Sequence, residues 1–266
     1  HRGGTRYAGE CSMSSVANYP DLAQRTVFIS GGATGIGAAL VTAFAQQGAK
    51  TAFVDLDKEA GETLTRQLME QGYQVWFRQC DVTDTSAYQA AIRDAANDLG
   101  LISVLLNNAA NDVRHSLDSL SSERFDDLVG VNLKHALFAA QAVTPMMKEL
   151  GGGSIINFGS VGWMMASAGY PTYAASKAAM HGLTRGLARD LGGDRIRVNT
   201  LVPGWVMTEK QLQLWVDDAA KEKIKQSQCL SGSVLPEHIA NMALFLGSDA
   251  SQMCSAQNFI VDGGWV

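Results

Sequence analysis

Short apolar runs alternate along this chain with stretches in which apolar residues recur at helical spacing. The first run is Val27-Phe28-Ile29, and after it Ile36, Leu40, Ala43 and Phe44 fall on one face of a helix. Between them lies a turn carrying Gly31, Gly32, Gly35 and Gly37. Thr51 to Val54 reads as a second strand ending at Asp55, and Lys58 to Gln71 as a polar helix stopped by Gly72. Tyr73 to Gln79 is a third strand, Thr85 to Leu99 a helix, and Val104-Leu105-Leu106 a fourth strand running into Asn107-Asn108. One continuous helix is expected from Ser121 to Leu150, with Phe125, Leu128, Val129 and Leu133 on one side. Ser154 to Phe158 is a fifth strand, Thr172 to Leu191 an alanine-rich helix, and Arg197 to Val202 a sixth strand broken by Pro203-Gly204. Pro236 suits the first turn of a helix carrying Ile239, Met242, Ala243 and Leu246, and Asn258 to Val261 is the last strand.

Wholly apolar short runs such as Val104 to Leu106 suit strands buried on both faces, as in parallel sheets. Strand–helix alternation without a linker predicts one α/β domain, a doubly wound, seven-stranded parallel sheet with helices on both faces. That domain spans residues 13–266, while His1 to Ser12 reads as an added or disordered segment lacking the apolar stretch of a secretory signal. Ligands of such sheets bind beyond the carboxyl ends of the strands, where Ser30, Asp55, Asp81, Asn107, Ser160 and Pro203 should share one rim.

Composition narrows the partners. A hydrophobic content of 46% and charged content of 18% are those of a globular chain, and a net charge of −5 gives no basic patch for nucleic acid or an anionic membrane. No apolar run approaches the roughly 20 residues of a membrane span. Cys11, Cys80, Cys229 and Cys254 are scattered, which reads as reduced thiols in a cytoplasmic protein, and no metal site is expected.

Strand, glycine turn and helix in that order make a device for holding phosphate, because glycines admit close backbone approach and the helix N-terminus offers unpaired N–H groups. Asp55 lies 18 residues past Gly37, at the end of the second strand, where a carboxylate can accept hydrogen bonds from ribose hydroxyls. A ribose phosphate would be repelled there, so NAD is expected over NADP. Thr34 in the loop supplies no cation to reverse this. Tyr173 and Lys177 stand four apart on one helix face. A tyrosine of ordinary pKa near ~10 is a poor base at neutral pH, but an adjacent ammonium can lower it. Ser160 precedes Tyr173 by 13 residues, and Tyr170 lacks a lysine four residues on.

These motifs resemble the short-chain dehydrogenase/reductase family over nearly all of Met13 to Val266. The family's T-G-x-x-x-G-x-G loop is matched by Ser30 to Gly37, with serine first, and its N-N-A-G motif by Asn107-Asn108-Ala109-Ala110, with alanine last. The resemblance implies a Rossmann-like fold and hydride transfer at an alcohol carbon. It implies catalytic roles for Asn132, Ser160, Tyr173 and Lys177: Tyr173 as base, Lys177 lowering its pKa and holding the nicotinamide ribose, Ser160 on the substrate oxygen, and Asn132 holding a water that passes protons to bulk. Cofactor contacts are implied for Gly31, Thr34, Gly35, Ile36, Gly37, Asp55, Asp81, Val82, Asn108, Ala109, Tyr173, Lys177, Pro203, Gly204, Val206 and Thr208. A homotetramer or homodimer is implied as well.

The substrate is less closely bounded, since one fold hosts many specificities. Asn111 to His115, Gly162 to Met165, Pro203 to Gln211, Gln228 to Leu230 and the ending Val261 to Trp265 resemble bacterial sugar dehydrogenases acting on aldoses such as D-xylose or L-arabinose. Polar groups at Asn111, Asp112, Arg114 and His115, together with Ser160, could answer sugar hydroxyls, and Trp163 or Trp205 could offer a flat apolar wall. Oxidation at the anomeric carbon would give a lactone. A polyol, a 3-oxoacyl or a steroid-like alcohol is the competing substrate class, and a non-catalytic dinucleotide sensor the competing kind of protein. The charged segment from Thr208 to Gln228 disfavours a greasy lid.

Overall fold

The computed structural model describes residues 16–214 and 216–266, so the expectation about His1 to Ser12 lies outside the described residues. The strands are β1 (Thr26–Ser30), β2 (Lys50–Asp55), β3 (Val75–Gln79), β4 (Ile102–Asn107), β5 (Gly153–Phe158), β6 (Ile196–Pro203) and β7 (Asn258–Val261). They form one sheet in the order β3-β2-β1-β4-β5-β6-β7, every pair parallel. Chain order reverses direction between β1 and β4, which leaves a crevice at their carboxyl ends.

The central strands are apolar on both faces because both faces are covered. Val27, Ile29, Val104 and Leu106 pack with Leu40 and Phe44 of α1 (Gly35–Gln46) and with Ile239 and Ala243 of α9 (Pro236–Gly247). Phe28 and Leu105 point the other way, toward Tyr88 and Ile92 of α3 (Thr85–Leu99) and Ala139 and Val143 of α5 (His135–Glu149). Each such aliphatic or aromatic burial contributes roughly 1.5–3 kcal/mol, which keeps the crevice walls rigid. Asp57 and Asp84 accept hydrogen bonds from Ala60 and Ala87 at the starts of α2 (Lys58–Glu70) and α3.

The single helix expected from Ser121 to Leu150 is three pieces. α4 (Ser122–Val129) passes into a π-helical turn, Gly130–Lys134, before α5 begins at His135. A π turn inserts an extra residue and rotates the faces on its two sides relative to one another. Within α4 itself Leu128 is buried but Phe125, assigned to the same face, is 44% exposed. α6 (Pro171–Leu191) follows β5, and the charged segment after β6 folds as α7 (Glu209–Leu214) and α8 (Asp218–Ser227). Among the described residues no helix is long and apolar enough to cross a membrane.

Candidate active site

A cleft of about 1530 Å³ opens along the carboxyl edge of the sheet. At one end Gly31 has φ +68°, and a Cβ on it would lie 2.9 Å from the Ala109 Cα. A Cβ on Gly37 would collide with the Gly31 carbonyl. These two positions therefore need glycine, one for its backbone angle and both for close approach. Thr34, the residue before α1, makes no side-chain cap, and Thr34 to Gly37 line the cleft, leaving first-turn amides available to an anion. Asn108 bolts the loop after β4 to this turn: its Nδ2 donates to the Ser30 and Gly31 carbonyls at 3.0 and 2.9 Å. The Asn108 and Ala109 amides both donate to Ser30 Oγ at 3.1 Å. Serine in place of the threonine seen in the resembling motif keeps that acceptor.

Asp55 sits where the second strand ends. Its carboxylate accepts from the Ala33 amide at 2.9 Å and the Asp57 amide at 3.0 Å, and it lines the cleft beside Leu56 and Asp81. Asp81 ties its own loop, accepting from the Thr83 amide and hydroxyl. Pro203 and Gly204 end β6 against the last strand, the Gly204 amide donating to Val261 at 2.9 Å. Val82, Val206 and Thr208 also line the cleft. The cradle of glycines, helix terminus and carboxylate at the end of β2 fits a dinucleotide.

At the middle of the cleft α6 presents Tyr173 and, one turn on, Lys177. Lys177 is fully buried, donates to the Phe158 carbonyl at 2.8 Å, and burial lowers its pKa to about 8. Its Nζ lies 5.8 Å from the Tyr173 ring centroid. The Tyr173 phenol lies in surroundings that favour its protonated form. Burial pushes the phenol above its ordinary value, and Asp112 and Tyr170 add to the rise; a hydrogen bond with Ser160 and the charge of Arg114 only partly oppose it. Ser160 Oγ also accepts from the Gly162 amide at 3.0 Å. Tyr170 packs edge-on to Tyr173 at 5.1 Å, so the rival tyrosine shapes the wall.

Asn132 is tied to the backbone of the loop after β4. It lies in the π turn, fully buried and off the cleft surface, with its side-chain amide paired to the Asn111 backbone in both directions, at 2.8 and 2.9 Å. It thereby fixes the segment that follows β4. Asn111 turns its own side chain to the Val113 amide, at 3.1 Å.

Of the residues expected at the substrate, Ser160, Arg114 and Trp205 line the cleft, while Asn111, His115 and Trp163 do not. His115 instead joins two loops: its amide donates to the Gly169 carbonyl at 2.8 Å and its Nε2 accepts from Thr172. Trp163 packs edge-on to His181 at 5.2 Å, behind the Ser160 loop. Arg114 lies over the Tyr170 ring, 3.8 Å from its centroid, and donates to the Ala168 carbonyl. Asp112 lines the cleft too. Its burial would raise its pKa, but the Lys210 hydrogen bond and charge outweigh that and hold it low.

Residues 31–266 match the family described as enoyl-(acyl carrier protein) reductase. The chain belongs to the short-chain dehydrogenase/reductase family. It is 42% identical over 249 residues to a protein described as "Probable galactose dehydrogenase" from Rhizobium meliloti strain 1021, covering 93% of this chain and 97% of that one. It is 40% identical to the D-xylose 1-dehydrogenase of Caulobacter vibrioides strain NA1000 over 253 residues, covering 95% of this chain and 100% of that one. A gluconate 5-dehydrogenase from Burkholderia cenocepacia, solved with NADP and tartrate, superposes with a TM-score of 0.85 at 31% identity, covering 92% of this chain and 96% of that one.

Within this short-chain dehydrogenase/reductase, the sequence reading passed over a latch across the cleft. Lys210 of α7 donates to Asp112 at 2.6 Å, Gln211 donates to the same carboxylate at 3.2 Å, and Trp205 Nε1 donates to Gln211 at 3.0 Å. The partners are 98 and 99 residues apart, and no local pattern links them. His135 was passed over as well, because a histidine among helix-forming residues carries no signal of burial.

Proposed function

We propose that this oxidoreductase uses NAD to oxidise the anomeric hydroxyl of an aldose to the corresponding lactone. The observation that carries the reading is the convergence of Ser160, Tyr173 and Lys177 on one cleft whose far end holds Asp55 beside the glycine turn. The likeness to proteins described as galactose and D-xylose dehydrogenases, over nearly the whole chain, supports the sugar as substrate class. NAD, when bound, supplies the nicotinamide carbon that accepts hydride and a positive ring that favours the phenolate.

In this reading Tyr173 removes the proton of the anomeric O–H while the C–H electron pair leaves as hydride, so the C–O bond becomes a carbonyl and the ring oxygen completes a lactone. Ser160 hydrogen-bonds the same oxygen. Lys177, poised near pKa 8, takes up and releases the proton behind Tyr173. Asn132 acts through the Asn111 backbone, keeping the cleft wall in place. Asp112, Arg114 and Gln211 supply donors and acceptors for further hydroxyls, and Trp205 a flat face. Asp55 and Asp81 oppose a ribose phosphate, and their neighbours Leu56, Val82 and Cys80 bring no cation, which supports NAD over NADP. Unpaired Cys80, Cys229 and Cys254 support a reducing, cytoplasmic setting. A homotetramer or homodimer is proposed with it, and light scattering on the eluted protein tests that.

The test of the function is reduction of NAD or NADP during a screen of aldoses, polyols, 3-hydroxyacyl compounds and steroid alcohols. Turnover of aldoses with NAD is expected. Turnover of polyols alone moves the substrate class, a preference for NADP overturns the cofactor, and dinucleotide binding without any turnover makes the protein a sensor.

A further inference from the structure

Three adjacent strands change character at one level of the sheet. Leu105, Ile155 and Val198 are register partners on β4, β5 and β6 and form an apolar row in one core. Two residues on, and so on the same face, the row is Asn107, Asn157 and Thr200, each fully buried. Polar side chains at that depth are destabilising unless each finds a partner. Asn107 Nδ2 donates to Asn157 Oδ1 at 2.8 Å and to the Ala136 carbonyl at 3.4 Å, which orients the Asn157 amide with its N–H groups away from β4. Asn157 Nδ2 donates to Thr184 Oγ1 at 3.0 Å, and the Thr200 hydroxyl donates to the same oxygen at 2.8 Å. The polar row therefore ends on one hydroxyl of α6, itself fully buried.

Thr184 lies seven residues beyond Lys177, two turns along the same helix face. Lys177 Nζ donates to the carbonyl of Phe158, the residue after Asn157. β5 thus holds α6 at two points, roughly 10 Å apart along the helix axis. Little else fixes the helix. Of its buried residues only Met180 and Ala188 are apolar, the others being Thr172, Ser176, Lys177 and Thr184. Contact between small apolar surfaces is non-directional and admits sliding and rotation, whereas hydrogen bonds to a fixed row do not. A valine would fill the space of Thr184 equally well. It would leave the Asn157 N–H without an acceptor, and Asn157 cannot turn to another because Asn107 holds its other end.

We infer that Thr184 is a positioning residue, whose hydroxyl, held by Asn157 and Thr200, sets the rotation and axial position of α6 and so the aim of Tyr173 and Lys177 into the cleft. The inference rests on the reading that these two residues serve the reaction. It is tested in wild type, T184V, T184S and T200V. Measured are kcat and KM with NAD and the alcohol that wild type oxidises fastest, NADH affinity by fluorescence, and thermal melts. Small misplacements of reacting groups slow a reaction steeply, so T184V should lose ~10-fold or more in kcat with its substrate KM changed by less than about threefold. T184S keeps the hydroxyl and should stay within about twofold of wild type, and T200V, lacking one of the two donors, should fall between. A hydroxyl that only stabilises the core would lower the melting temperature of T184V and leave kcat of the folded enzyme at the wild-type value. That result overturns the inference, as does a T184S variant as slow as T184V. Should T184V not fold, a slower T200V supports the inference and a T200V with wild-type kcat overturns it. A wild type that binds NADH but oxidises no alcohol overturns the reading of Tyr173 and Lys177. The placement of α6 is then judged on NADH alone: binding about threefold or more weaker in T184V but not in T184S supports it, and equal binding overturns it.

Discussion

Burial, the largest influence on Tyr173, together with Asp112 and Tyr170 outweighs the Ser160 hydrogen bond and the charge of Arg114, and leaves its phenol protonated near neutral pH. That is the acid form, so oxidation of an alcohol requires help in removing the proton, which the positive charge at Lys177 and the bound cofactor can give. Tyr173→Phe removes the proton acceptor without changing the wall. It should bind NADH as wild type does and lose ~10²–10⁴ in kcat, the usual worth of general base catalysis. A variant with near-normal kcat sinks the assignment. The proposed preference for NAD is tested at Asp55. Asp55→Asn keeps the Oδ1 acceptor for the Asp57 amide and removes the charge, so the ratio of kcat/KM with NAD to that with NADP should fall by ~10-fold or more, equal to about 1.4 kcal/mol. An unchanged ratio would show that the carboxylate does not select the cofactor.

Elements set what these residues can reach. The π turn between α4 and α5 brings Asn132 to the Asn111 backbone, and a continuous α-helix through the same residues would rotate it away. α7 reaches across to the loop after β4 through Lys210 and Gln211. Lys210 is 57% exposed, and exposed ion pairs are worth only ~0–1 kcal/mol, so the latch is a weak closure. Lys210→Met should therefore raise the substrate KM by no more than ~5-fold and leave the cofactor KM alone. Equal changes in both constants would mean that α7 does not close over the substrate end.

At the scale of the molecule, two buried bases link folding to pH. The His135 pKa falls from 6.5 to about 3 on folding, so between those values the unfolded chain holds a proton that the native one lacks. Its contribution to stability is intact above pH 6.5 and is lost as pH falls toward 3, by at most roughly 1.4 kcal/mol per pH unit. Lys177 falls from 10.5 to about 8, so its contribution rises with pH across that window. Urea midpoints of wild type and H135N at pH 7 and pH 4.5 should show wild type losing more stability than the variant. Parallel losses would place the acid sensitivity elsewhere, among the carboxylates.

The succession of strands and helices, the glycine turn, the carboxylate after β2 and the Tyr–Lys spacing were all legible in the sequence, because each rests on short-range physics. Period-2 and period-3.6 burial, turn glycines and four-residue helix spacing act over a handful of neighbours. The family resemblance joined those local signals into a reaction type. What the sequence could not show depends on residues distant along the chain. The Asp112–Lys210 latch joins positions 98 apart, and His115 and Trp163, polar or aromatic beside the site in sequence, are held by Thr172 and His181 instead of facing the cleft. The helix from Ser121 read as continuous because the residues of the π turn carry no local breaker, and only tertiary packing places the extra residue there. Burial of His135, and the rise of the Tyr173 pKa, follow from desolvation by several elements at once. The chain's own pattern thus determined the scaffold and the glycine turn, and only the folded structure decided which polar side chains line the cleft and which merely hold its walls.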